Sequence, residues 1–263
     1  MLIQESFDRF KQTNHDAYQQ ETHDALELFG EYIVYYSDLS FDEEEEEPLQ
    51  QEDWEQPLEQ LMEELLEGDL DAVANLGILT LDQLNDEHLR DFLAWFLLRE
   101  ADTNSLTLQK YTNVLLAWVT FLRTQKAIDL ATFSSYKATL EHTGVAAVRV
   151  CQAAHILFHF VRLGSAMSPR NREKKFTDFI EGHARIVGIE HNALHVGFDN
   201  QQQHIDPILL PEAIISLLQL GDVLDVELGL RNDEWQIVDA GPIYPACIYI
   251  EAECFDVPEK IIP

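Results

Sequence analysis

The sequence predicts an α+β protein: a mainly helical N-terminal two-thirds, built as a helix bundle, followed by a small five-stranded β-barrel-like C-terminal domain. Three observations carry this reading. Apolar residues recur at steps of three and four through most of residues 6–163. From Phe176 onward the step becomes two, with Val and Ile enriched and Gly and Asn as punctuation. The charge also changes along the chain. Residues 1–100 hold 28 Asp/Glu against 4 Lys/Arg, residues 101–175 hold 4 against 10, and residues 176–263 hold 16 against 3, giving a net −31. The organisation read from this is an acidic helical region (1–100), a basic helical bundle (101–175) and a small barrel domain (176–263).

Phe7, Phe10, Tyr18, Ala25, Phe29, Tyr32, Ile33 and Tyr36 predict one long helix or two short ones over 6–36, with a weak stretch near Thr22. Asp42 to Glu47 are all acidic, and Pro48 cannot continue a helix, so residues 40–50 read as a solvated linker. A calcium site is the sharper reading of that run. It requires oxygen ligands presented on a turn, and the spacing here does not supply one. Trp54, Leu58, Leu61, Met62, Leu65 and Leu66 predict a helix over 52–67 that stops at Gly68. Leu89, Phe92, Leu93, Phe96 and Leu97 predict a helix buried on most sides.

In the basic middle, Leu108, Tyr111, Leu115, Trp118, Val119 and Leu122 mark a helix over 104–126, capped by Ser105 or Thr107. A second helix is expected from Leu130 to Leu140, ended by Gly144, and a third from Val145 to Leu163, ended by Gly164. Three such helices with short connections make a bundle. In the C-terminal segment, strands are expected over 184–190 and 193–199, joined at His191-Asn192. A helix over 209–220 starts at Pro211, two strands meet at Arg231-Asn232-Asp233, and a last strand covers 246–253.

Two resemblances accompany these patterns. Thr107, Tyr111, Trp118, Phe121, Tyr136, Phe158 and Phe160 follow the order of the small core-binding domain of tyrosine recombinases, over about 60 of the 263 residues. That resemblance implies DNA contact. It implies no recombinase catalysis, because nothing after residue 175 resembles the catalytic domain. Pro211, Leu217, Gly221-Asp222, Trp235 and the Gly241…Tyr244-Pro245 corner resemble the terminal barrel of bacterial proteins of uncharacterised function, which pair it with a helical N-terminal region. Some of those proteins add a zinc-binding SEC-C tail. Here Cys247 and Cys254 stand seven apart without a partner cluster, so the zinc tail is absent.

Several residues carry candidate chemistry. Arg162, Arg170, Arg172, Lys174 and Lys175 cluster as a nucleic-acid-binding candidate, or else as solvated linker charges facing acidic neighbours. Trp235 and Tyr244 are a candidate exposed stacking pair, or else barrel core. His155 and His159, four apart on one helix, have metal-ligand spacing, but Ile156 stands where a zincin has Glu, so half-buried histidines are the plainer reading. Cys151 lies four residues before His155 in an apolar helix, where a buried thiol is inert. Asp222, Asp225 and Glu227 read as a turn and an exposed strand face rather than a metal cluster.

No apolar run of about 18 residues predicts a membrane span, the N-terminus lacks a secretory pattern, and three cysteines suggest a reducing cytoplasm. No phosphate-binding, nucleophile-elbow or zincin motif occurs. The functional expectation is a non-catalytic cytoplasmic interaction or adaptor protein without cofactor, whose partner is another protein. The alternatives are a nucleic-acid-binding factor with the acidic N-terminus as competitor, and a hydrolase-type enzyme with its site at the bundle–barrel junction.

Overall fold

A computed structural model describes residues 1–13, 19–37, 39, 76–101, 103–164, 176–200, 205 and 207–255. It divides into two units, residues 1–92 with 110–141 and residues 93–109 with 142–263. Helices and an antiparallel sheet make it a mixed α+β chain. The expected linker at 40–50 and the helix over 52–67 lie outside the described residues.

The first unit holds α1 (Ile3–Thr13), α2 (Gln19–Tyr35), α3 (Asp86–Asp91), most of α4 (Ser105–Thr124) and the start of α5 (Leu130–Gly164). Ile3, Phe7 and Phe10 form the buried stripe of α1, at the spacing the sequence predicts. They meet α2 and α4 through rings. Phe7 lies edge-on to Trp118 at 5.2 Å, Phe10 is 5.5 Å from Phe121, and Phe29 is 4.9 Å from Phe92. Trp118 is fully buried, and its indole N–H donates to Ser6 Oγ at 3.2 Å, so its one polar atom is satisfied. The Tyr136 hydroxyl donates to the Leu84 carbonyl. Asn85 starts α3 with a reciprocal cap: its Oδ1 accepts from Glu87 and His88 N–H, while His88 Nδ1 accepts from Asn85 N–H.

Beyond α3 the chain passes through one π-helical turn, Phe92–Phe96, before Leu97–Arg99. The wider turn brings four of its five residues to buried positions. Asn104 caps α4, accepting from Leu106 and Thr107 N–H at 3.1 and 3.0 Å, rather than Ser105 or Thr107. The expected break at Gly144 does not occur. Leu130–Gly164 is one helix of 35 residues, so two helices stand where three were expected. A mid-helix glycine costs only about 1 kcal/mol. No proline or polar cap follows Gly144, and Leu140, Ala147 and Val150 carry one buried stripe across it.

The second unit is built on a sheet of order β3-β2-β1-β4-β5, all antiparallel: β1 (Asp178–Glu190), β2 (Ala193–Gly197), β3 (Ile208–Leu209), β4 (Val223–Arg231) and β5 (Glu234–Tyr244). The hairpin turns fall where the sequence places them. His191 has φ 48°, and Asn232 and Asp233 have φ 54° and 61°, values that suit two-residue turns. The expected strand over 246–253 is replaced by irregular backbone, followed by β6 (Cys254–Phe255) against β1. Gly182 permits that pairing: a Cβ there would stand 2.1 Å from the Glu253 carbonyl oxygen. The helix expected over 209–220 is only α6 (Glu212–Ile215), because Leu209 belongs to β3 and the bonds of Leu217 and Leu218 reach back three residues. No strand pairing closes the sheet among the described residues.

Val150, Ala153, Leu157 and Val161 of α5 lie at helical spacing over one face of this sheet, against Ile180, Ala184, Leu224 and Val226. Ala94 packs with Val223, Tyr244 and Ile248 in a separate cluster. Residues Leu130–Arg162 reach a mean hydropathy of 1.4 with 33% of the window buried, so length and composition alone admit a bilayer-crossing helix.

Candidate functional site

Within the second unit, α5 is fixed to the sheet by a buried ion pair. Arg149 Nη1 and Nη2 donate to the two Asp222 carboxylate oxygens at 2.6 and 2.9 Å. Asp222 is 0% exposed and also accepts from the Gln219 and Ala246 N–H groups at 2.8 and 3.2 Å. Arg149 further donates to the Leu217 carbonyl at 2.7 Å. Every lone-pair direction of the carboxylate is used, which is the condition under which a buried charge is tolerated. Asp222 is therefore an anchor inside the fold rather than a member of an exposed acidic strand.

Further along α5, the same unit holds a groove of about 850 Å³. The α5 wall presents Cys151, Gln152, His155, Ile156 and Phe158; the opposite wall is Ala240–Ile243 of β5; Thr103–Ser105 close one end. Leu98, Ala154, Pro242 and Ile243 contribute apolar lining. Ile156 and Phe158 remain 37% and 40% exposed. Apolar side chains of that size left to water on one groove wall are the informative departure from ordinary burial. The Cys151 thiol donates to the Thr103 carbonyl at 3.6 Å, and burial pushes its pKa up. That state disfavours a nucleophilic thiolate, even with His155 one turn away.

Arg162 lies 4.8 Å over the Phe158 ring and 4.0 Å from Asp239, so its charge faces an acid. Arg170, Arg172, Lys174 and Lys175 lie outside the described residues. His155 and His159 are both exposed, with ring centroids 4.4 Å apart. Trp235 and Tyr244 are only 5% and 2% exposed, and they sit in separate clusters, so they are not an exposed stacking pair. Trp235 faces the core under α5, and burial pushes the Tyr244 phenol up to about 12.

Asp225, expected on an exposed strand face, is half-buried and meets a histidine that the sequence does not mark. His183 and Asp225 are direct partners across β1 and β4, and the His183 ring lies edge-on to Tyr244 at 5.9 Å. Burial raises the Asp225 pKa, helped by Asp239 and opposed by His183 and Arg99. Its carboxylate fits because Gly241 lacks a Cβ, which would stand 2.6 Å from Oδ2. No group of three or more His, Cys, Asp or Glu side chains among the described residues is arranged to hold a metal. Comparison with family models, curated proteins and solved structures finds no match.

Proposed function

We propose that the chain is a non-catalytic interaction protein whose second unit takes an apolar segment of a basic protein partner into the groove between α5 and β5. The observation that carries this reading is the pair of exposed side chains Ile156 and Phe158 lining a groove with further apolar residues. Large apolar side chains buried by a partner are where binding energy concentrates. Charge sets the class of partner. The segments of the second unit hold nineteen carboxylates against ten lysines and arginines, and the whole chain is −31. That field favours a cationic partner and speeds its encounter. Gln152 and Ser105 at the rim supply hydrogen-bonding groups for a peptide backbone. The inert setting of Cys151 favours binding over nucleophilic chemistry at the same groove. The pairing of Arg162 with Asp239 weakens the nucleic-acid reading. A cytoplasmic location belongs to this proposal. It is supported by Arg149, an ion-paired arginine in the middle of the apolar helix, which ties that helix to a sheet. The open sheet is read as the small barrel of the resemblance, with β3 approaching β5.

The test is fluorescence anisotropy of the full chain with three labelled peptides: an amphipathic Leu/Lys sequence, its Leu/Glu counterpart and a Ser/Lys sequence, each at two salt concentrations. The Leu/Lys peptide is expected to bind alone, more weakly at high salt. Phe158→Glu is expected to weaken it about tenfold or more. Equal binding of all three peptides, or binding unchanged in Phe158→Glu, contradicts the reading. Salt-sensitive binding of DNA or RNA with no peptide bound would favour the nucleic-acid alternative.

A further inference from the structure

We propose that His155 and His159 form a two-histidine chelate for a divalent transition metal on the exposed face of α5, suited to Cu²⁺ or Ni²⁺ before Zn²⁺. The two residues stand one turn apart on one helix face, and their rings meet edge to face. Both are exposed, and among the described residues neither ring makes a hydrogen bond to the protein. The ring nitrogens are therefore open to solvent and to a metal.

The ring separation is compatible with two ligands of one ion, and the affinity order of N-donor sites puts Cu²⁺ first. A metal–imidazole nitrogen bond is about 2.0–2.1 Å, which places the metal about 3.2 Å from each ring centroid. Two imidazoles at right angles around one ion then have centroids about 4.5 Å apart, and two at the tetrahedral angle about 5.2 Å. The observed separation is 4.4 Å, with the ring planes 79° apart. Right-angle positions belong to square-planar Cu²⁺ and octahedral Ni²⁺, while zinc sites are tetrahedral. Water completes the coordination shell. Arg162 is one turn beyond His159, but it lies over Phe158 and faces Asp239, so its charge is engaged elsewhere. The net charge of −31 favours a bound cation. The chelate is independent of the peptide groove, although His155 lies on its wall, and either proposal can fail alone.

The experiment uses the full chain and the metals themselves. Calorimetric titration with Cu²⁺, Ni²⁺ and Zn²⁺ is combined with electron paramagnetic resonance of the Cu²⁺ form. Wild type is expected to show a site of one equivalent in the order Cu²⁺, Ni²⁺, Zn²⁺, with nitrogen coupling in the spectrum. His155→Gln and His159→Gln are each expected to lose at least tenfold in affinity, and the double variant little more, because either loss breaks the chelate. Circular dichroism checks that these exposed substitutions leave the fold intact. Unchanged affinity in both single variants overturns the proposal. So does an oxygen-only spectrum, which would place the copper on carboxylates.

Discussion

Removing Asp222 tests the architecture that positions the groove. In Asp222→Ala the Arg149 guanidinium loses both charge-assisted bonds, at 2.6 and 2.9 Å, and stays largely buried. The Gln219 and Ala246 N–H groups lose their acceptor as well. Breaking a buried pair by deleting one partner costs about 3–5 kcal/mol. Each orphaned backbone donor adds about 1 kcal/mol or more where water cannot reach it. Asp222→Ala is therefore expected to cost about 5–7 kcal/mol. Arg149→Met leaves the two backbone donors satisfied and is expected to cost about 3 kcal/mol. The double variant should fall short of the sum, since both singles destroy one interaction. The two units need not unfold together, so a whole-chain transition is the wrong reporter. Hydrogen exchange of β4 and β5 amides reads the second unit directly. A loss below about 1 kcal/mol in both single variants would refute the view that this pair fastens α5 to the sheet.

Trp118→Ala empties the ring cluster between Phe7 and Phe29 and should destabilise the first unit by about 3–5 kcal/mol, read from exchange of α1 and α2 amides. Gly182→Ala places a Cβ against the Glu253 carbonyl, so exchange at residues 253–255 should accelerate while the β1–β2 hairpin stays protected. Burial raises the pKa of Asp225, so its contribution to stability is full below the unfolded carboxylate pKa and is lost as pH rises through the higher folded value. Asp225→Asn should therefore raise stability at neutral pH relative to wild type and lose that advantage in acid, as followed by urea titration at several pH values.

What the sequence made legible was local chemistry. The buried stripe of α1, the starts of α4 near Asn104 and of α5 at Leu130, and both tight turns follow from residues within a few positions of one another. Gly144 does not stop the helix as its residue type suggests, because Ala147 and Val150 continue the buried stripe beyond it. The Arg149–Asp222 pair spans 73 positions, and a lone Asp after a Gly carries the marks of a turn residue whatever it later meets. Trp235 and Tyr244 were paired by composition, but strand alternation together with the bulges of the β4–β5 pairing assigns them to different clusters. The Gly182–Glu253 approach, which creates β6 in place of the expected last strand, depends on packing between residues about 70 positions apart. His155 and His159 were visible from spacing. The groove beside them was not, because its walls come from three separated segments.

The most direct test of the groove is photo-crosslinking from its wall. A benzophenone side chain is placed at position 158 of the full chain, and in a second protein at position 255, where Phe255 is comparably exposed away from the groove. Each is irradiated with the labelled Leu/Lys peptide. The account predicts a crosslink from position 158 that unlabelled peptide competes away, and none from position 255. Equal crosslinking from both positions, or crosslinking from 255 alone, would contradict it.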